Sequence, residues 1–214
     1  MYPAGNLLVP VEHGQLEAII KEPRVDLVRG VALILHPHPL GGGTMHNKVV
    51  FRAANALNDA ALITLRINFR GVGQSTGQYD EGRGELDDVR VALHYLKQNH
   101  AQQPITICGF SFGARMGLEV GMSDESVIRL ISIGTPVETY DFSFVANCQK
   151  PILFIHGDQD EIGNVNHLRE LVGKWNRKDL IHLSIIRGAG HFFAGHLDEL
   201  KQLITEWAMR DPEG

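Results

Sequence analysis

The stretch ITICGFSFGAR, Ile105 to Arg115, sets a short β-branched run against Gly-x-Ser-x-Gly, with Ser111 where a strand must end and a helix begin. Turning a strand into a helix within one residue forces that residue into a strained conformation, costing ~1–3 kcal/mol, which surrounding packing has to enforce. Gly109 and Gly113 carry no Cβ, so neighbouring backbone can approach and the Ser111 hydroxyl is left projecting from the C-terminal edge of a sheet. Open α/β sheets bind ligands at that edge, and a helix starting at Phe112 aims unpaired N–H groups over the serine. With 23 glycines and seven serines in the chain, chance alone supplies about 0.08 such matches, so the flanking strand and helix carry the weight. Without them, Ser111 reads only as a helix N-cap between turn glycines.

Outward from this turn, apolar β-rich runs alternate with helical patterns. LLVPV and LEAIIKE flank His13-Gly14 and read as an opening hairpin, followed by buried strands in GVALILHPHP and ALITLRINFRG. ELDDVRVALHYLKQN puts Leu86, Val89, Leu93 and Leu96 on one helical face, with acids in its first turn. After the helix from Phe112 to about Gly121 come strands in VIRLISIGTPV and PILFIHGDQ, a helix around NHLRELVGKW and a last strand in LIHLSIIRG. The chain closes on LDELKQLITEWAM, with Leu197, Leu200, Ile204 and Trp207 on one stripe. This alternation predicts an α/β fold, a mostly parallel sheet with helices on both faces, and the absence of repeats or long linkers predicts one domain over residues 1–214. The roughly fifteen residues between Thr135 and Pro151 are too few for a helical cap, so any pocket is expected to be open.

Composition narrows the function classes. At 214 residues and 43% apolar content the chain can bury one substantial core. A net charge of −5 with scattered basic residues disfavours nucleic acid and anionic membrane surfaces as partners. Two cysteines, Cys108 and Cys148, cannot build a disulfide framework, which points to a reducing, cytoplasmic setting. No apolar run approaches the ~20 residues of a membrane helix, and the N-terminal MYPAGNLLVPVEHG lacks the basic and apolar regions of a leader.

Serine is a poor nucleophile at neutral pH and needs a base, itself oriented by a carboxylate. HGDQDE follows the strand PILFI and offers Asp158 and Asp160; GAGHFF follows the last strand and offers His191. All lie just beyond C-terminal strand ends, on the rim that carries Ser111. Sequence alone leaves both acids open, with Asp160 further into the loop and freer to turn toward the histidine. His196 is a rival base, but it falls at the start of the final helix and reads as a surface residue.

These motifs together resemble the α/β-hydrolase superfamily over nearly the whole chain. Specifically, LHPHPLGGGTMHNKVV, NFRGVGQSTGQYDEGRGE, GFSFGA, HGDQDE and GAGHFF are similar, in order, to motifs of the small lidless bacterial serine hydrolases related to dienelactone hydrolases. Dienelactone hydrolases proper use a cysteine nucleophile, so their substrate does not carry over to a chain with Ser111. The resemblance implies an α/β-hydrolase fold without a cap domain and, through its HGxxD pattern, Asp160 as the acid, leaving Asp158 to cap the loop. Pro37 and Pro39 have no N–H to give, which leaves His38, Leu40 and Gly41 as backbone donors in that loop, and Gly41 to Gly43 let it approach closely; of these the resemblance implies the His38 N–H, with that of Phe112, as the oxyanion hole.

Several motifs read more plainly. His36 and His38 could form a metal pair, but no carboxylate or cysteine completes the set and the prolines favour a structural turn. GVGQSTG lacks the lysine of a phosphate loop and reads as the turn after the fourth strand. Arg70 is expected to pair with a loop acid as a structural ion pair. Phe192 and Phe193 either line an acyl pocket or belong to the core. The expectation is hydrolysis of small carboxylic esters or thioesters through an acyl-enzyme, with no metal or organic cofactor. The alternatives are a non-catalytic ligand- or partner-binding member of the fold and a metal-dependent hydrolase using some of the eleven histidines. The apolar outer strand LIHLSIIRG suggests edge pairing into a homodimer.

Overall fold

In the computed structural model, which describes residues 5–175 and 177–210, the chain opens on a hairpin of β1 (Asn6–Val11) and β2 (Gly14–Lys21). The first four residues of the stretch read above for a leader lie outside the described residues. Val11 pairs with Gly14, so the turn is Glu12–His13, one residue earlier than the His13-Gly14 expected. Glycine at 14 instead serves the strand, where a Cβ would press on the Thr76 side chain at 2.6 Å.

β3 (Gly30–Leu35), β4 (Leu62–Ile67), β5 (Ile105–Phe110), β6 (Val127–Ile133), β7 (Ile152–Gly157) and β8 (Ile181–Ile186) complete an eight-stranded sheet in the order β1-β2-β4-β3-β5-β6-β7-β8. From β4 to β8 all neighbours are parallel, while β1–β2 and β2–β4 are antiparallel. Every residue of β3, β5 and β7 is buried, as strands covered on both faces must be.

Two apolar layers sandwich the sheet. On one face α2 (Arg83–Asn99) and α3 (Phe112–Ser123) bury Val89, Leu93, Leu96 and Met116, with Leu168 of α4 (Val165–Gly173) on the same side. On the other, α5 (Leu197–Met209) buries Leu200, Ile204 and Trp207 beside α1 (Lys48–Asp59). α1 is not among the helices expected from the sequence, because the glycines of GGGTMHNK precede it without a helical pattern. Its apolar stripe, Val49, Val50, Ala53, Ala54 and Leu57, starts two residues after the N-cap Asn47, whose Oδ1 accepts the Val49 N–H at 2.9 Å. Between β6 and β7 the regular structure is a five-residue 3-10 turn, Ser143–Asn147, and no cap rises over the sheet edge. No described helix is long and apolar enough to cross a membrane.

Candidate active site

Ser111 joins β5 to α3 with φ 55° and ψ −117°, a region that disfavours any side chain. Packing enforces it. The Ser111 N–H donates to the Ile133 carbonyl at 2.9 Å. A Cβ on Gly113 would stand 2.6 Å from the Leu35 and His36 carbonyl oxygens, and one on Gly109 would fall onto the Gly113 carbonyl. The tight crossing of α3 over β3 and β5 therefore requires both glycines, and it leaves the Ser111 side chain at the C-terminal rim.

His191 follows β8. Its Nε2 lies 3.0 Å from Ser111 Oγ, and its Nδ1 lies 2.9 and 3.1 Å from the two oxygens of Asp160. With Nδ1–H donating to the carboxylate, Nε2 is the ring's acceptor and faces the serine hydroxyl. The imidazole is 1% exposed, with Phe110 against it at 5.0 Å and Phe192 edge-on at 5.2 Å. Burial alone would raise the Asp160 carboxyl. Hydrogen bonds from His191 and from the Gly163 and Ile162 N–H groups, each of these two at 2.9 Å, outweigh it and hold the group below the usual carboxylate range.

Two loops meet in step to make this contact. Asp158 Oδ1 accepts the Gly188 N–H at 2.6 Å, the Gln159 N–H donates to the Ala189 carbonyl at 3.0 Å, Asp160 holds the His191 ring, and Glu161 Oε2 accepts the His191 backbone N–H at 3.0 Å. The neighbouring acids thus face different groups, with Asp158 tying the loops together and Asp160 at the imidazole.

The loop after β3 closes over Phe112. The Gly41 and Gly43 N–H groups both donate to the His38 carbonyl at 3.0 Å, and the His38 ring packs 5.1 Å from that of Phe112. The Leu40 N–H donates to His38 Nδ1 at 3.2 Å, which leaves Nε2–H to donate to the Tyr79 hydroxyl at 3.1 Å. Burial lowers the His38 imidazole's affinity for a second proton. Neither the His38 nor the Phe112 N–H donates to a protein acceptor among the described residues. The loop is anchored at Met45, whose N–H donates to Asn68 Oδ1 at 2.8 Å while Asn68 Nδ2 donates to Glu17 Oε2 at 2.7 Å.

Other sequence candidates take structural positions. Both nitrogens of His36 are engaged: one donates to the Pro37 carbonyl at 2.6 Å, the other accepts the Phe69 N–H at 3.0 Å. In GVGQSTG, the Gln74 N–H donates to Glu17 and the Ser75 hydroxyl to the Asn68 carbonyl, as befits a turn after β4. Arg70 forms its ion pair with Asp88 at 2.8 Å, so the partner is in helix α2 and not in a loop as expected. His196 caps the start of α5 near Glu199 and is not at the serine. The two phenylalanines divide: Phe193 is fully buried at φ 52°, while Phe192 is 53% exposed beside the site.

Residues 74–209 match the sequence profile of the dienelactone hydrolase family. This chain belongs to that family. Among relatives, an uncharacterized protein of Rickettsia prowazekii is 41% identical over 184 residues, covering 83% of this chain and 77% of the relative. A solved α/β serine hydrolase homologue from Coxiella burnetii superposes with a TM-score of 0.90 at 37% identity, covering 96% of this chain and 98% of that one. A lidless α/β serine hydrolase from Xanthomonas campestris gives 0.87 at 31% identity over 99% of each chain. As a member of the dienelactone hydrolase family with an α/β-hydrolase fold, the protein is a hydrolase. Beside the motifs read from the sequence, this family member carries two polar groups they did not single out, Glu161 at the His191 backbone and His156 beneath Asp160. Both stand inside HGDQDE, but only contacts between loops reveal their partners.

Proposed function

We propose that the protein is a serine hydrolase that cleaves small carboxylic esters or thioesters through an acyl-enzyme. The observation carrying this reading is the continuous chain from Ser111 Oγ to His191 Nε2 at 3.0 Å and from His191 Nδ1 to Asp160 at 2.9 Å, at the rim where α3 begins. His191 takes the Ser111 proton as Oγ attacks the acyl carbon. The carbonyl oxygen becomes an oxyanion held by the Phe112 and His38 N–H groups, while Asp160 steadies the imidazolium. Collapse breaks the bond to the alcohol or thiol, which leaves with the proton from His191. Water then gives a proton to the same nitrogen and attacks the acyl-enzyme, and the acid departs as Ser111 regains its proton. The serine hydrolase relatives from Coxiella and Xanthomonas support a serine nucleophile.

An open cleft of about 550 Å³, lined by Thr44, Lys48, Val49, Phe192 and Leu197 among others, reaches the site through Phe192, whose ring lies 5.2 Å from that of His191, and is wide enough for a small acyl or alcohol group. The test is hydrolysis of p-nitrophenyl acetate and of a matching thioester, with mass mapping of a fluorophosphonate adduct. Turnover and an adduct on Ser111 are expected. Labelling or turnover that persists in Ser111→Ala overturns the reading.

A further inference from the structure

His156 lies in β7, four residues before Asp160; it takes no part in the proton transfers above, yet its side chain is fully buried. Its Nε2 is 2.6 Å from the Gly163 carbonyl oxygen and 3.5 Å from Asp160 Oδ2. A carbonyl only accepts, so Nε2 carries the ring proton. Nδ1 is buried without a hydrogen-bond partner among the described residues, and a second proton there would be an orphaned buried donor. The ring is therefore held neutral, and burial lowers its basicity in the same sense, ahead of the opposing pull of the Gly163 carbonyl and Asp160 and with a further lowering from His191.

Gly163 is fastened twice, its carbonyl to His156 and its N–H to Asp160 Oδ1 at 2.9 Å. Oδ1 also takes the Ile162 N–H, while Oδ2 makes the shorter contact to the His191 ring. A cationic ring beside Oδ2 would compete with His191 for that oxygen, and a missing ring would release the Gly163 end of the loop. We infer, resting on the triad reading above, that His156 is a positioning residue: a neutral Nε2–H splint that closes the 157–163 loop so that Asp160 keeps its aim on His191.

The test compares His156→Leu with His156→Gln, whose side-chain amide can reach the same carbonyl, using p-nitrophenyl acetate between pH 5 and 9. A loss of alignment at the acid lowers kcat by about 10–100-fold in His156→Leu with KM changed less than about twofold, and His156→Gln recovers to within about threefold. The acid limb of kcat/KM moves to lower pH in His156→Leu and returns in His156→Gln, a change that a role in folding alone does not produce. Imidazole nitrogen shifts of the wild type, expected to report a neutral Nε2–H ring at residue 156 from pH 5.5 to 8, keep the test open should His156→Leu fail to fold. A protonated ring or the opposite tautomer in that range overturns the inference. Wild-type kcat and pH profile in both variants, with Ser111→Ala inactive, overturns it alone; activity surviving in Ser111→Ala overturns the triad reading and this one with it.

Discussion

The backbone N–H of His191 donates to Glu161 at 3.0 Å while its ring donates to Asp160, so two successive acids hold one residue at two points. Asp158, two residues before Asp160, points instead to the Gly188 N–H. A stretch with three carboxylates in four positions thus divides its work by direction: one pins the opposing loop, one meets the imidazole and one fixes the backbone that carries it.

That division predicts three different outcomes. Asp160→Asn should lower kcat/KM by about 10³–10⁴-fold, since the amide no longer favours the tautomer and cation that the reaction needs. Asp158→Ala should cost about 0.5–1.5 kcal/mol of stability, because water can take over the exposed Gly188 N–H, with a smaller effect on rate. Glu161→Gln keeps an acceptor and should stay within about threefold of wild type, whereas Glu161→Ala frees the His191 backbone and should lose about tenfold in kcat. Equal rate losses in Asp158→Ala and Asp160→Asn, or the opposite order, would overturn the assignment of the acid.

The strand-to-helix turn at Ser111 makes a second prediction, read by urea unfolding. Gly113→Ala forces a methyl to within 2.6 Å of the two carbonyl oxygens that end β3, and backbone cannot swing away as a side-chain tip can. The expected cost is about 3 kcal/mol, with activity lost in proportion to Ser111 misplacement. Gly173 in α4 has nothing within 4 Å of an added Cβ, and Gly173→Ala is expected to raise stability by about 0.5–1 kcal/mol. A silent Gly113→Ala would mean that α3 does not press on β3 as described.

Elements whose signal is periodic and local were legible in the chain. The α2 and α5 stripes bury Val89, Leu93, Leu96, Leu200, Ile204 and Trp207 and leave Leu86 and Leu197 half-buried, and the Gly-x-Ser-x-Gly turn has the strand before it and helix after it that the motif demands. What escaped depends on pairing across long separations. That β4 lies between β2 and β3 is not written in any one strand, and α1 was obscured because its cap, Asn47, belongs to a glycine-rich stretch that reads as loop. The Arg70 partner is in α2 and not in a loop, which sequence does not show, because it gives charge but not which helix turn passes beneath it. For the same reason His36, His38 and His156 are alike on paper, whereas their roles differ according to the carbonyls and N–H groups that face them.

Asp88 makes the third prediction. Its side chain is 1% exposed and accepts from the Arg70 N–H at 2.8 Å, from the Arg70 guanidinium, and from His13 Nε2 at 3.2 Å, joining α2 to the turn after β4 and to the opening hairpin. Asp88→Ala leaves a partly buried guanidinium and a backbone donor without an acceptor, and should cost about 3–5 kcal/mol by chemical unfolding. Replacing both charges, as in Arg70→Met with Asp88→Leu, should cost less than Asp88→Ala alone. The reverse order would show that the pair contributes net stability rather than mutual compensation.

The fourth prediction concerns acid. Burial lowers the His36 pKa from 6.5 to about 4, against the opposing pull of the Pro37 carbonyl. Between these values the unfolded chain binds a proton at this residue that the folded chain refuses, so stability falls with pH through that window and His36 adds no further dependence below it. The full difference corresponds to about 3 kcal/mol, of which about 2 kcal/mol should be lost between pH 7.5 and pH 5. His156, buried and lowered in the same direction, adds to the same slope. Urea unfolding of wild type and His36→Gln at the two pH values isolates the contribution, because glutamine does not titrate and can still accept the Phe69 N–H. His36→Gln is expected to be less stable than wild type at pH 7.5 and to lose about 2 kcal/mol less on acidification. If both proteins lose the same amount, the ring at residue 36 is not the group refusing the proton, and the acid sensitivity must be sought elsewhere in the buried set.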